Sequence, residues 1–217
     1  MLKKYWKYLL PAGVLILALV IFLICFYNIP RLSYRYVEEE EVYYVSKAYG
    51  NASEYTIPET YKDKPVTGID TRAFYRHSGL KRINFSQNIT VIGRLAFSEC
   101  RRLESISLEN VETIYRNAFS YCVSLISLEL NAADIGASAF YKCENLSEVK
   151  LNEGLKTIGS MAFSATKIQN ISIPRSVEVL GSDCFSDCFA LRNINVYGNN
   201  LKNNTYLKGL NIVNYIG

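Results

Sequence analysis

The stretch IGRLAFSECRRLESISL, residues 92–108, decides the fold, because both of its halves return through most of the chain. The first half, Ile92-Gly93-Arg94-Leu95-Ala96-Phe97, comes back as Ile69 to Phe74, Ile114 to Phe119, Ile135 to Phe140, Ile158 to Phe163 and Leu180 to Phe185. The steps between Phe74, Phe97, Phe119, Phe140, Phe163 and Phe185 are 23, 22, 21, 23 and 22 residues, and this one slot holds six of the ten phenylalanines. A period of that size is the signature of a stacked array.

The second half spaces apolar residues three and then two apart: Leu80, Ile83, Phe85; Leu103, Ile106, Leu108; Leu125, Leu128, Leu130; Leu146, Val149, Leu151; Ile168, Ile171, Ile173; Leu191, Ile194, Val196. The final pair alternates as a half-buried strand does, so Ser107, Glu129 and Lys150 between such pairs face water. A unit this short cannot bury its own apolar side, and neighbouring copies must share a core. The pattern therefore predicts a solenoid of about six turns. One short strand per turn is expected to build a parallel sheet, with Ala-Phe and its flanks forming a turn or short helical return.

Leu-x-x-Ile-x-Leu, followed by Ile-Gly-x-x-Ala-Phe-x-x-Cys, resembles the BspA-type leucine-rich repeat of bacterial and some protist surface proteins. The resemblance covers about Val42 to Val196 and implies an α/β-type leucine-rich repeat fold. It further implies recognition of a protein or glycan outside the cell, in adhesion or as a receptor. The repeats proper span 69–196, preceded by an N-terminal cap or opening repeat at 42–68 and followed by a C-terminal cap or tail at 197–217. Two copies depart from the motif: His77 stands where others have cysteine, and the fifth copy, Phe163 to Ile168, is one residue short.

Upstream, 23 residues without a charge lie between Lys7 and Arg31, enough to cross a hydrocarbon core of roughly 30 Å as a helix. Lys3, Lys4 and Lys7 precede this run while Glu38 to Glu41 follow it, and this asymmetry directs the N-terminus to the cytoplasm and the repeats outward. The expected order is a cytoplasmic tail at 1–8, an uncleaved transmembrane signal anchor at 9–29 and a stalk at 30–41. Cleavage of the segment as a signal peptide remains the alternative, although its end at Phe22 to Tyr27 offers no small-x-small pattern. The formal net charge of +4 belongs wholly to residues 1–31, and the rest balances 20 basic against 20 acidic side chains. Such a balance gives no footprint for nucleic acid.

Cys100, Cys122, Cys143 and Cys188 share one slot. Strands stacked about 4.8 Å apart could bring successive Cα atoms within disulfide range, but parallel side chains aimed at the core favour a ladder of buried thiols. No paired cysteines or converging histidines suggest a metal, and no phosphate loop or other cofactor motif is present. His77, the sole histidine, sits in the cysteine slot as a structural turn residue. The chain reads as a non-enzymatic binding module without a cofactor, and what remains is surface. On the strand face the candidate contact residues are Arg82, Glu129, Glu148, Lys150, Asn195 and Tyr197; on the Arg- and Tyr-rich turns beside Ala-Phe they are Arg101 and Arg102. A scaffold subunit binding another membrane protein of the same cell is the second reading.

Overall fold

The computed structural model describes residues 30–216 together with Ile16. The expected tail and anchor, 1–29, otherwise lie outside the described residues; among those described, no helix is long and apolar enough to cross a membrane.

Each Leu-x-x-Ile-x-Leu phrase forms a short strand, and together with a strand at each end they stack in parallel along one face. The members are β3 (Glu54–Thr56), β6 (Arg82–Asn84), β8 (Ser105–Ile106), β10 (Ser127–Leu130), β12 (Glu148–Leu151), β14 (Asn170–Ile173), β16 (Asn193–Tyr197) and β17 (Val213–Ile216). They pair as three short sheets, β3-β6-β8, β10-β12 and β14-β16-β17. Their register is that of the repeat: Ile83 pairs with Ile106, Leu128 with Val149 and Ile171 with Ile194. A single bridge from Leu108 to Leu130 joins the first of these sheets to the second, while β12 and β14 adjoin without pairing. The stack counts about eight turns instead of six, because β3 and β17 come from the segments read as caps.

The expectation of one strand per turn is corrected by a second ladder. The dipeptides before each Gly-x-x-Ala-Phe form β7 (Val91–Ile92), β9 (Thr113–Ile114), β11 (Asp134–Ile135), β13 (Thr157–Ile158) and β15 (Val179–Leu180), stacked in parallel on β5 (Lys64–Ile69). The same sheet continues through β2 (Val42–Tyr49) to the antiparallel edge strand β1 (Arg31–Val37), while β4 (Thr60–Tyr61) folds back on β5. Residues 30–41, read from the sequence as a stalk, thus hold a strand and the Glu38–Glu41 turn of a hairpin. Tyr34 stacks on Tyr61 at 4.0 Å, with Tyr43 edge-on to the same ring, and this packing holds the hairpin against the first turn.

The returns around Ala-Phe contain no helix. Every copy places two residues in the left-handed region, at φ between 55° and 62°: Arg72, Leu95, Asn117, Ser138, Met161 and Asp183 before Ala-Phe, and Arg76, Glu99, Tyr121, Lys142, Ala165 and Asp187 after it. A helix would satisfy each N–H within its own segment, whereas in these turns every second N–H points along the solenoid axis to the next turn and those between, such as Ala96 N–H to Gly93 O, bond within the turn. Leu95 N–H donates to Arg116 O, Phe97 N–H to Ala118 O and Glu99 N–H to Ser120 O, and the next turns repeat the triplet. No proline or glycine is needed to keep the chain out of a helix, since the neighbouring turn supplies the acceptors.

The phenylalanines form a continuous column beneath these turns. From Phe74 to Phe163 successive ring centroids lie 5.0 to 5.3 Å apart, and Phe185 follows at 6.0 Å; all planes are within 16° of parallel, an offset stack. Glycine in the slot that opens the return lets turns approach closely, for a Cβ on Gly159 would come 2.4 Å from Ala137 N. At the C-terminal end the short helix α1 (Thr205–Lys208) closes the column. Asn204 caps it by accepting from Leu207 N–H and also donates to Leu180 O, while Tyr206 Oη accepts from Phe185 N–H.

Candidate functional site

Alternation along β6, β8, β10, β12 and β14 sends Ile83, Leu128 and Ile171 inward and leaves their neighbours on a common outer face. A broad open depression of about 1010 Å³ runs across these five strands. Its floor is partly apolar, with Ile106, Val149 and Phe85 incompletely covered, and its sides carry Ser105, Ser107, Ser127 and Ser147.

Four of the residues expected to bind line this depression: Arg82, Glu129, Glu148 and Lys150. Lys150 Nζ sits 2.6 Å from Glu129 Oε1, which also accepts from Asn152 Nδ2 at 2.9 Å. These contacts, the lysine's first, hold the Glu129 carboxyl below its usual range. Arg82 reaches back toward Glu54 at 3.7 Å. Among the described residues no ion pair engages Glu148 or Glu109, so these two acids face the depression with free carboxylates.

The other four lie elsewhere. Asn195 and Tyr197 stand on β16, outside the depression; β17 covers their flank, and Asn214 donates to Asn195 Oδ1 at 3.2 Å. Arg101 and Arg102 are exposed on the turn after Phe97, the Arg101 guanidinium 5.9 Å from the Tyr121 ring. Sequence reasoning missed Ile126. It is 57% exposed at the rim and lines a neighbouring hollow of about 450 Å³ with Ser124, Asn145, Ser147, Lys167 and Gln169. Its signal was available, because the same slot holds Lys81, Glu104, Ser147, Gln169 and Arg192 in the other turns.

The cysteines and the histidine have structural duties. Cys100, Cys122, Cys143 and Cys188 are free and buried, each Sγ donating to the phenylalanine carbonyl one turn back at 3.0 to 3.2 Å. Thr166 fills the slot in the short fifth copy and donates to Phe163 O. His77 is buried against Tyr55, whose hydroxyl donates to Tyr49 O at 2.6 Å and hence accepts from His77 Nε2–H at 2.9 Å. Among the described residues no three His, Cys, Asp or Glu side chains converge as a metal site.

A family profile described as the BspA-type leucine-rich repeat region matches six copies over residues 47–133 and 112–214. The chain belongs to the BspA-type leucine-rich repeat family. This BspA-type array is similar to a leucine-rich cell surface protein from Faecalibacterium prausnitzii A2-165, at 26% identity and a TM-score of 0.63 over 76% of this chain and 52% of that one. It thus spans about half the length of that protein. Two more distant structures share the fold. A leucine-rich repeat protein of T. pallidum has 24% identity and a TM-score of 0.52, covering 76% of this chain and 68% of its own. The pneumococcal vaccine antigen PcpA has 22% identity and a TM-score of 0.52, covering 80% and 49%. No curated protein matches the sequence.

Proposed function

We propose that this BspA-type array is a cell-surface recognition module that binds a protein or glycan ligand across the outer face of β6 to β14. The observation that carries the reading is the open depression over five consecutive strands, where free carboxylates at Glu109 and Glu148 meet a partly apolar floor and the exposed Ile126. A solenoid offers equivalent positions from successive turns as one extended surface, and an apolar anchor ringed by polar groups is the composition of an interface centre. The surface location of the Faecalibacterium relative supports the same placement here. On this reading residues 9–29 tether the chain as a single-pass anchor with the N-terminus cytoplasmic, a placement supported by the uncharged run between Lys7 and Arg31.

The experiment is crosslinking capture with the purified full chain, offered separately to membranes of the producing organism and to host or neighbouring cells. Capture from foreign cells that Ile126→Glu and Glu148→Lys both abolish supports the proposal. Capture confined to a membrane protein of the same cell replaces adhesion by a scaffold role, and capture indifferent to both substitutions removes the strand face as the site.

A further inference from the structure

The turn flank carries a second surface, separate from the strand face. The slot three residues before the core phenylalanine holds Arg94 and Arg116 in the second and third copies but Ala137, Ser160 and Ser182 in the last three. All of these turns fold alike, so the arginines are not required by the repeat. Arg94 and Arg116 share one slot on successive turns about 4.8 Å apart along the axis; the first copy has Thr71 in that slot, with Arg72 one residue further on, its N–H donating to Arg94 O as Leu95 N–H donates to Arg116 O. All three are exposed, and among the described residues none is in an ion pair; the nearby Asp70 is already taken by Arg35. Arg116 donates to Asn117 Oδ1, and the Arg72 guanidinium lies 5.8 Å from the Tyr75 ring.

Tyr115 completes the row. It occupies the slot that is Asp70 in the first copy and glycine at 93, 136, 159 and 181, where a Cβ would come within 2.4 to 2.7 Å of the neighbouring turn's backbone. The bulky ring, where four copies have glycine, is 52% exposed and so leaves about half of its surface open to a ligand. Arg94 and Arg116 depart from the alanine and serines of the later turns while staying exposed and without an ion pair among the described residues, and departures without a packing gain mark functional positions.

We infer that Arg72, Arg94, Arg116 and Tyr115 form a binding site for a linear anionic polysaccharide bearing carboxylate or sulfate groups. The guanidinium fork matches such groups bidentately, their spacing of one cation per turn suits a polymer with periodic charge, and the tyrosine ring offers an apolar face to a sugar. Duplex nucleic acid is the weaker match, since the 186 residues beyond Arg31 carry no net charge and three arginines neutralise few phosphates.

The test titrates the full chain with heparin fragments, neutral dextran and duplex DNA of matched charge. The variants are Arg94→Ser with Arg116→Ser, Tyr115→Gly, and Lys156→Ser as a control for charge alone. The serines at 94 and 116 and the glycine at 115 are residues other turns carry in the same slots, and unchanged thermal melts verify folding of every variant. Expected are salt-sensitive binding to heparin and none to dextran, a loss of about tenfold or more in the double arginine variant, a smaller loss in Tyr115→Gly and no change in Lys156→Ser. Failure to bind heparin, equal losses in the lysine control, or equal affinity for DNA each overturn the assignment. The strand-face proposal is unaffected by any of these results, because Ile126 and Glu148 are untouched.

Discussion

Cys122 Sγ donates to the carbonyl oxygen of Phe97, one turn back, at 3.1 Å. The thiol is fully covered, and burial drives its pKa well above that of a free cysteine; Cys100, in the turn before, is pushed up to about 12 for the same reason. The thiolate is the reactive form. Iodoacetamide should therefore leave Cys100, Cys122 and Cys143 unmodified in the folded protein and label all three in denaturant. Peptide mass mapping that finds them labelled under native conditions, or joined in disulfides, would contradict the ladder.

Phe119 lies 5.2 Å from both Phe97 and Phe140 in the column. Phe119→Ala opens a cavity with no exit to solvent and should cost about 3–5 kcal/mol. Phe185→Ala, at the end of the column where the ring gap is 6.0 Å, should cost less. Urea unfolding of both variants ranks them, and the reverse order would mean that the C-terminal cap governs stability.

Gly159→Ala forces a methyl to within 2.4 Å of Ala137 N and 2.7 Å of Gly136 C, neither of which can yield without parting two turns. A loss of about 1–3 kcal/mol is expected. Gly154→Ala meets no atom within 4 Å but sits at φ of +104°, so its cost is conformational. Thermal melts distinguish the mechanisms when paired with Gly154→Asn, since asparagine tolerates positive φ better than alanine; asparagine should recover part of the loss at 154, whereas at 159 it should not.

Burial holds His77 below its ordinary pKa of 6.5. The unfolded chain takes up a proton near that value while the folded one resists, so the unfolded state binds more protons in the window below it. Stability should be level above pH 6.5 and decline as pH falls beneath it. His77→Cys, which installs the residue used by other turns, should flatten that part of the profile. Urea midpoints measured from pH 7.5 to 5 check this, and an unchanged slope in the variant would assign the decline to carboxylates.

The main stack of strands was legible because Ile106 and Leu108, or Leu128 and Leu130, alternate inside a phrase that repeats at fixed distance. The second ladder was not. Pairs such as Thr113–Ile114 and Asp134–Ile135 are too short to show alternation, and they become strands only because a neighbouring turn supplies the partner. Strand β1 was hidden differently: Leu32, Tyr34 and Tyr36 do alternate, but the adjacent Glu38 to Glu41 gave the segment the composition of a solvated spacer. At the candidate site the outward positions followed from the alternation, while the engagement of Lys150 by Glu129 depended on register between strands. Ile126 was overlooked because one apolar residue beside Leu125 reads as part of the core.

The hairpin of β1 and β2 also has a mechanical meaning. Arg31 pairs with Tyr49 at its open end, so a pull on the chain at Pro30 against a ligand held on the far strands loads the bonds one pair at a time. The two parallel stacks behind it must instead be separated turn from turn, each carrying several bonds and a stacked ring at once. Under tension the hairpin would peel first and lengthen the chain by its own contour, leaving the proposed recognition surface intact as a fuse spares the circuit beyond it.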